Sequence, residues 1–255
     1  MDTSTDLLPC PDLSAAFAGN RLLATLDPEA RALLEPHAEV VPLKVGASLF
    51  KAGTPVERTV FPFDSLMVSM MVEMRVGRSV EVVTIGKEGA IGGIVSAGAT
   101  PVYTNAVVQI AGSAVAFPMT ALESAKRRST HLQHLFCRYA DFLLASVMQS
   151  VACNAFHPIE VRTARWLLHA TDRVGGDRLS LTQEALAGLL RVQRTSVNAV
   201  ARMLQKQGLI SYRRGTIMVL DRNGLSKVAC ECYSAIEQHF ANVLGSDRHE
   251  TVRHV

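Results

Sequence analysis

Basic and hydroxyl side chains that suit nucleic-acid contacts are concentrated between residues 173 and 222. This segment holds nine arginines and lysines against three acids, whereas the whole chain of 255 residues has a formal net charge of only +3. Arg194 begins a stretch of helical periodicity in which Arg194, Thr195, Asn198 and Arg202 share the polar side. A helix fits the major groove of DNA, where arginine can form a bidentate hydrogen bond with guanine. We therefore predict that Arg194 contacts base edges.

A second group of side chains suits phosphate contacts. Arg213 and Arg214 precede Gly215 between two short apolar runs, as in the basic hairpin, or wing, beside a helix-turn-helix. Thr182 and Ser196 lie at the N-termini of two predicted helices, where hydroxyl groups can donate to phosphates. Positive charge on the wing would supply sequence-independent attraction to the DNA backbone.

Two short helices joined by a tight turn are predicted to position these groups. Within SLTQEALAGLLRVQRTSVNAVARMLQKQGLI, Thr182 caps the first helix, the turn falls near Leu190 to Gln193, and the second helix runs from Arg194 to about Gln207. Strands at 209–212 and 216–220 form the wing. Helical hairpins with a basic face also serve as structural elements or protein contacts, but the paired wing arginines favour DNA.

The part of the chain before this segment is predicted to contain a β-rich domain and one long helix. Short helices between Asn20 and Pro36, with Asp27 as N-cap, precede seven short apolar runs between residues 39 and 117. Closely spaced strands of this kind favour a small barrel or roll. The segment from Thr130 to Ala155 lacks glycine and proline and predicts a helix with two apolar stripes.

We expect one stripe of this helix to cover the roll and the other to contact a second copy of the chain. A fully buried helix in a monomer is the alternative. The residues assigned to the dimer contact are Leu135, Tyr139, Phe142 and Met148.

Enzymatic, membrane and metal-dependent functions find little support in the sequence. No apolar stretch is long enough to cross a membrane and the N-terminus is acidic, so we expect a cytoplasmic protein. Paired carboxylates, a nucleophile elbow and a phosphate loop are missing, and we expect no enzyme activity, cofactor or metal. His131 and His134 lie one helical turn apart, but a solvated or interface role is favoured over metal or haem binding.

The five cysteines are scattered without the spacing of a metal site or a disulfide framework, and we expect reduced thiols. They are Cys10, Cys137, Cys153, Cys230 and Cys232. Cys230 and Cys232 are interpreted as structural thiols that point in different directions from one helix. A redox-sensing role for Cys137 or Cys153 at the long helix stays open.

The order of these parts resembles the Crp/Fnr family of bacterial regulators over residues 20–225. The sharpest similarity lies in LTQEALAGLLRVQRTSVNAVARMLQKQGLI and the following SYRRGTIMV, and a weaker one in VVPLKVGASLFKAGTP and IGKEGAIGG. The resemblance implies an α+β fold with three parts. A double-stranded β-helix (jelly-roll) domain of the cyclic-nucleotide-binding type spans 20–128, a dimerisation helix spans 129–156, and a winged helix-turn-helix domain spans 157–243.

The resemblance also assigns roles to individual residues. Arg194, Thr195 and Ala199 match the base-contacting positions of the family, with Asn198 as an additional candidate, and Arg191 replaces the glycine of the turn. The phosphate contacts implied are Thr182, Gln183, Arg191, Ser196, Arg213 and Arg214. Gly93 and Thr104 occupy the places of the glutamate and arginine that hold cAMP, so we expect that cAMP does not bind in the usual way.

The function implied is transcription regulation by a homodimer on a near-palindromic DNA operator, with RNA polymerase as a further partner. The effector is unknown. An apolar or uncharged ligand, loss of ligand binding and a thiol change relayed by the long helix all stay open, as does the choice between activation and repression. The alternative is a small-molecule or redox sensor whose helix-turn-helix domain contacts protein.

Overall fold

The computed structural model describes residues 12–75, 77, 79–94 and 100–245 of the chain. The strands are β1 Glu39–Leu43, β2 Ser48–Phe50, β3 Arg58–Pro62, β4 Met67–Glu73, β5 Ser79–Ile85, β6 Asn105–Ile110, β7 Gly112–Pro118, β8 Arg178–Ser180, β9 Ile210–Arg213 and β10 Thr216–Val219. The α-helices are α1 Leu13–Gly19, α2 Pro28–Leu34, α3 Met119–Arg128, α4 Thr130–Phe156, α5 Ile159–Val174, α6 Gln183–Leu190, α7 Arg194–Lys206, α8 Arg222–Val228 and α9 Cys232–Val243.

The first seven strands form the predicted β-roll from two antiparallel sheets. One sheet has the order β1-β7-β3 and the other has the order β2-β6-β4-β5. Aliphatic side chains of both sheets, including Val60, Val68, Ile85 and Val108, are buried together. Branched and small apolar residues at these positions suit a pleated, packed surface. The predicted α+β fold class is confirmed.

Helices that precede and follow the roll in the chain pack against it. Asp27 caps α2 by accepting a hydrogen bond from the backbone N–H of Ala30 at 2.7 Å, as predicted from the Asp-Pro pair. Helix α3 follows β7 directly and buries Met119, Leu122 and Ala125, which recur every three residues. This helix was not predicted, although its spacing carries the signal.

Helix α4 is the long helix predicted from Thr130 onward, and it packs one stripe against the roll. Ser129 caps it by accepting from the N–H of Leu132 at 3.2 Å. The hydroxyl of Tyr139, fully buried, accepts from the N–H of Ala90 at 2.9 Å and donates to its carbonyl at 3.0 Å. Burial raises the pKa of Tyr139, so the phenol stays neutral. These bonds attach α4 to the roll at a defined register.

The C-terminal part contains a second core, built by α5 to α8 and the small sheet β8-β10-β9. This core contacts the roll as well, because Met67 and Ile110 of the roll belong to it. Trp166 donates to a carboxylate oxygen of Glu81 at 3.2 Å. None of the helices in the described ranges is long and apolar enough to cross a membrane.

Helix α9 returns to α4 instead of extending the helix-turn-helix unit. The rings of Phe142 and Phe240 pack edge to face with their centroids 5.0 Å apart, and Gln149 donates to the sulfur of Cys232 at 3.0 Å. Because higher numbers on α4 meet lower numbers on α9, the two helices run in opposite directions. The domain predicted over residues 157–243 includes α9, and the packing of α9 on α4 was not predicted.

Candidate nucleic-acid interface

Local hydrogen bonds and apolar packing position helices α6 and α7. The hydroxyl oxygen of Thr182 accepts from the N–H of Ala185 at 3.1 Å and caps α6, as predicted. Val197, Val200 and Leu204 of α7 are buried in the C-terminal core, which leaves the opposite side of this helix at the surface. The turn between the helices spans 191–193, close to its predicted position.

Arg191 adopts a left-handed backbone conformation in this turn, with φ of 59°. That conformation is the usual one at a helix C-terminus and favours glycine, because a Cβ atom is crowded there. The Arg191 side chain is exposed. Arginine therefore stands where glycine would have a lower conformational energy. A functional role for its charge explains why such backbone strain is retained.

The residues predicted to contact bases lie on one side of α7 but differ in exposure. Arg194, Thr195 and Ala199 are exposed. Asn198 is half-buried, and its side-chain oxygen is buried without a hydrogen-bond partner among the described residues. Arg194 is thus the longest exposed donor at the start of the helix, and Asn198 is less accessible than the sequence indicated.

The wing is a two-residue β-hairpin. Arg213 pairs with Thr216 across the antiparallel strands β9 and β10, and the two turn residues, Arg214 and Gly215, both have positive φ values of 47° and 77°. Turns of this kind match the twist of the flanking strands. Both arginines are exposed. Strand β8, which extends this sheet, was missed because three residues carry too little periodicity to detect.

The wing lies beside the N-terminus of α6, so most residues predicted to contact phosphate form one surface. A Cβ atom on Gly215 would stand 3.6 Å from the Thr182 side chain. The Tyr212 hydroxyl accepts from the backbone N–H of Gln183 at 3.2 Å, which leaves only the half-buried Gln183 side chain to contact a ligand. Ser196 is half-buried on the first turn of α7.

The arginines of the 173–222 segment differ in whether they form ion pairs. Arg173 bonds to Glu88 at 3.0 Å, and Arg222 pairs with Asp172, so these two arginines serve the fold. In the described part of the chain, Arg191, Arg194 and the two wing arginines form no ion pair. Their charge is therefore directed to solvent or to a ligand.

The structure corrects the predicted dimer contact on α4. Leu135, Tyr139 and Phe142 are already buried within one chain, against the roll and α9, so their stripe is not available to a partner. Met148 lies on a different, exposed stripe with 60% exposure, and its assignment stays a prediction. The apolar residues of this exposed stripe are Leu144, Met148 and Val151.

A cavity of about 520 Å³ lies between the roll and α4. Gly93 and Thr104 both line it, together with apolar side chains that include Val83, Ile85 and Leu143. No acidic or basic side chain is present among its described lining residues. A Cβ atom on Gly93 would approach the Met119 side chain to 1.8 Å, so a larger residue does not fit there without rearrangement.

His131 and His134 do not form a common site. His131 lies 3.7 Å from a carboxylate oxygen of Asp27, whereas His134 is exposed. Cys137 is exposed, and Cys10 lies outside the described residues.

Comparison with known families supports the interpretation of the C-terminal part. Residues 161–228 match the family model of the Crp-like helix-turn-helix domain. The described architecture, with a β-roll, a long helix and this domain, is that of Crp/Fnr regulators. The resemblance to the Crp/Fnr family is confirmed. No curated protein matches the chain by sequence.

Solved structures share the Crp/Fnr fold at low sequence identity. FixK2 from Bradyrhizobium japonicum is 15% identical with a TM-score of 0.65, covering 76% of this chain and 98% of its own. The c-di-GMP responsive global regulator CLP from Xanthomonas campestris is 16% identical with a TM-score of 0.60, covering 76% and 100%. A CRP/FNR family transcriptional regulator from Thermus thermophilus is 19% identical with a TM-score of 0.60, covering 75% and 98%. Crp/Fnr proteins are DNA-binding regulators rather than enzymes.

Proposed function

We propose that the chain acts as a homodimeric transcription regulator that places the N-terminal half of α7 in the major groove of a near-palindromic operator. The observation that carries the proposal is an exposed Arg194 without an ion-pair partner in the described chain, at the start of α7 and beside a doubly basic wing. In a two-fold dimer, two such helices would enter successive grooves about 34 Å apart.

The side chains of this surface divide into two roles. Arg194 is the base-contacting residue, with Thr195, Asn198 and Ala199 as further candidates. Thr182, Gln183, Arg191, Ser196, Arg213 and Arg214 contact phosphates. Thr195 and Ala199 stand at positions where the cAMP receptor of the family has a glutamate and an arginine. The operator bound by this chain should therefore differ in sequence from the operator of that receptor.

The exposed stripe of α4 supports the dimer. Leu144, Met148 and Val151 are each more than half exposed and follow the spacing of a helix seam, which monomeric proteins rarely leave in water. RNA polymerase is a proposed partner by family likeness, and an operator-binding protein would act in the cytoplasm.

The cavity between the roll and α4 favours an uncharged, mainly apolar effector over cAMP. A cyclic phosphate buried there would lack a counter-charge, since the described lining residues include none. Calorimetry should detect no tight, saturable binding of cAMP, and such binding would contradict this part of the proposal. A thermal-shift screen of apolar metabolites is the matching search for the effector.

The decisive experiment compares charge-removing variants on DNA selected from a random pool. Arg194→Ala should weaken binding to the selected site by about 1–3 kcal/mol and relax one base position, because a bidentate base contact is lost. Arg213→Ala should weaken binding to all sequences alike and lower the salt dependence. Lys44→Ala, which removes an exposed charge from the roll, is the control and should bind like the unmodified protein.

The competing hypothesis is a sensor whose helix-turn-helix domain contacts another protein. It predicts no selected DNA sequence and no difference among the three variants in mobility-shift assays at low salt. Equal losses of specific and non-specific binding in Arg194→Ala would remove the base-contact role while leaving DNA binding in place.

A further inference from the structure

Four side chains with metal-binding atoms converge where α4 ends and α9 begins. They are Cys153 and His157 from the end of α4, and Cys230 and Cys232 from the segment that enters α9. One ligand atom from each side chain lies within 4.8 Å of the other three. The three sulfur atoms belong to buried residues, and His157 is half-buried.

The distances fit a tetrahedral zinc site. The sulfur atoms of Cys153 and Cys230 are 3.6 Å apart, and the sulfur of Cys232 is 3.5 Å from Nδ1 of His157. Zinc–sulfur bonds of about 2.3 Å and zinc–nitrogen bonds of about 2.0 Å at tetrahedral angles place ligand atoms roughly 3.5–3.8 Å apart. These two pairs of ligand atoms need almost no movement to bind one ion.

Local structure explains why these residues meet. Cys153 lies in the last turn of α4, and His157 follows the helix directly, with its backbone N–H bonded to the Cys153 carbonyl at 3.0 Å. Cys230 lies outside regular secondary structure, two residues before α9, whereas Cys232 begins the helix, and both thiols meet at the same point. The prediction that Cys230 and Cys232 point in different directions is therefore wrong, because it placed both on one helix.

Neighbouring polar groups orient the ligands. The other ring nitrogen of His157, Nε2, lies 3.2 Å from a carboxylate oxygen of Glu231. A proton on Nε2 shared with this carboxylate leaves the Nδ1 lone pair free for a metal, an arrangement typical of zinc-bound histidine. Gln149 donates to the sulfur of Cys232 at 3.0 Å and would stabilise a thiolate there.

A nearby positive charge suits a site rich in thiolates. Arg165 acts electrostatically on Cys153, and its charge would offset part of the negative charge of a three-thiolate site. A bound divalent ion displaces the protons of the three thiols.

We propose that Cys153, His157, Cys230 and Cys232 bind one zinc ion in a closed, four-ligand structural site. Three thiols release their protons to solvent, histidine binds as the neutral ring, and no redox change is involved. Thiolate and imidazole ligands select zinc over calcium or magnesium. The Crp-like domain begins just after His157 and ends just before Cys230, so the ion would hold both of its ends against the long helix.

Cobalt titration of the reduced, metal-free, full-length protein tests the proposal without DNA. Tetrahedral thiolate coordination should produce intense thiolate-to-cobalt charge-transfer and ligand-field absorption that saturates at one ion per chain and disappears when zinc is added. Absence of these bands, or purified protein with a Cys153–Cys230 disulfide in place of metal, would overturn the proposal.

Variants separate the site from other cysteines. Cys153→Ser and Cys232→Ser should lose the cobalt signal, whereas the double variant Cys10→Ser/Cys137→Ser should keep it. Because removal of a ligand also removes folding energy, Glu231→Gln provides a variant with all four ligands, and its zinc affinity should fall about 10-fold to 100-fold. Unchanged zinc affinity in Glu231→Gln, or loss of the signal in the double variant, would contradict the assignment.

Discussion

Arg191 combines a backbone strain with an exposed charge. Its left-handed conformation is one that glycine adopts more readily. Arg191→Gly should raise the free energy of unfolding by about 0.5–1 kcal/mol, because relief of the strain exceeds the added entropy of the unfolded chain. The same change should weaken DNA binding at low salt and reduce the salt slope by about one.

Arg191→Ala is the matched control for this prediction. Alanine keeps the strain and removes the charge, so DNA binding should fall by a similar factor without a gain in stability. Urea unfolding and affinity measured against salt concentration give both quantities. If the salt dependence of DNA binding is unchanged in both variants, Arg191 does not contact phosphate.

His169 makes stability depend on pH. Its ring is buried and packs beside Tyr233. Burial, followed by the charges of Arg173 and Arg165, lowers the pKa of the ring well below the usual value, and these effects together outweigh the opposing effect of Asp172. The ring is therefore neutral although Nδ1 lies 3.7 Å from Glu237, so this contact is not an ion pair at neutral pH.

The folded state binds fewer protons at His169 than the unfolded state does, so stability falls as the pH drops below about 6.5. The slope from one such group is at most about 1.4 kcal/mol per pH unit. His169→Gln should remove this contribution in urea titrations between pH 7 and 5. An unchanged pH dependence would mean that other groups cause it.

At the scale of elements, periodicity predicted α4 and its two stripes but did not identify their partners. Leu135 and Tyr139 have the residue types of an interface seam, yet both are buried in the N-terminal core, and the Tyr139 hydroxyl bonds to Ala90. Helix α6, which Thr182 caps, and helix α7 were predicted within a residue or two, because the cap and the apolar spacing act locally. The face of a helix that meets a distant segment depends on contacts that local patterns do not contain.

The exposed stripe of α4 leads to a prediction about assembly. Leu144 is 55% exposed at the N-terminal end of this stripe. Leu144→Glu places like charges opposite each other across a two-fold seam and should convert a dimer into a monomer, as measured by analytical ultracentrifugation. Met74→Glu is the control, since Met74 is also 55% exposed but lies on the roll, directly after β4. A monomeric unmodified protein would contradict the dimer at once.

At the scale of the whole molecule, α9 joins the C-terminal end of the chain to the N-terminal core. Phe240 packs on Phe142, and the guanidinium of Arg21 lies 3.7 Å from the centre of its ring. Phe240→Ala should lower the free energy of unfolding by about 3–5 kcal/mol. Hydrogen exchange should increase in α4 as well as in α9. Loss of protection confined to α9 would show that the helix is not coupled to the core.

The four-ligand cluster marks the limit of prediction from sequence. Cys153 and Cys230 are separated by 77 residues, and neither flanking sequence has a familiar metal spacing. Their proximity follows from the antiparallel packing of α9 on α4, which depends on tertiary contacts such as Phe142 with Phe240. A metal site formed by residues this far apart in sequence can be recognised only from the folded structure.

The position of Leu144 has a consequence for measurements of ligand affinity. This side chain lines the cavity and also stands on the outward stripe of α4. A small molecule in the cavity and a second subunit on the stripe would therefore both contact Leu144. Effector binding and dimerisation would then change each other's equilibrium constants by the same factor. The dissociation constant of any effector would then drift as the protein is diluted.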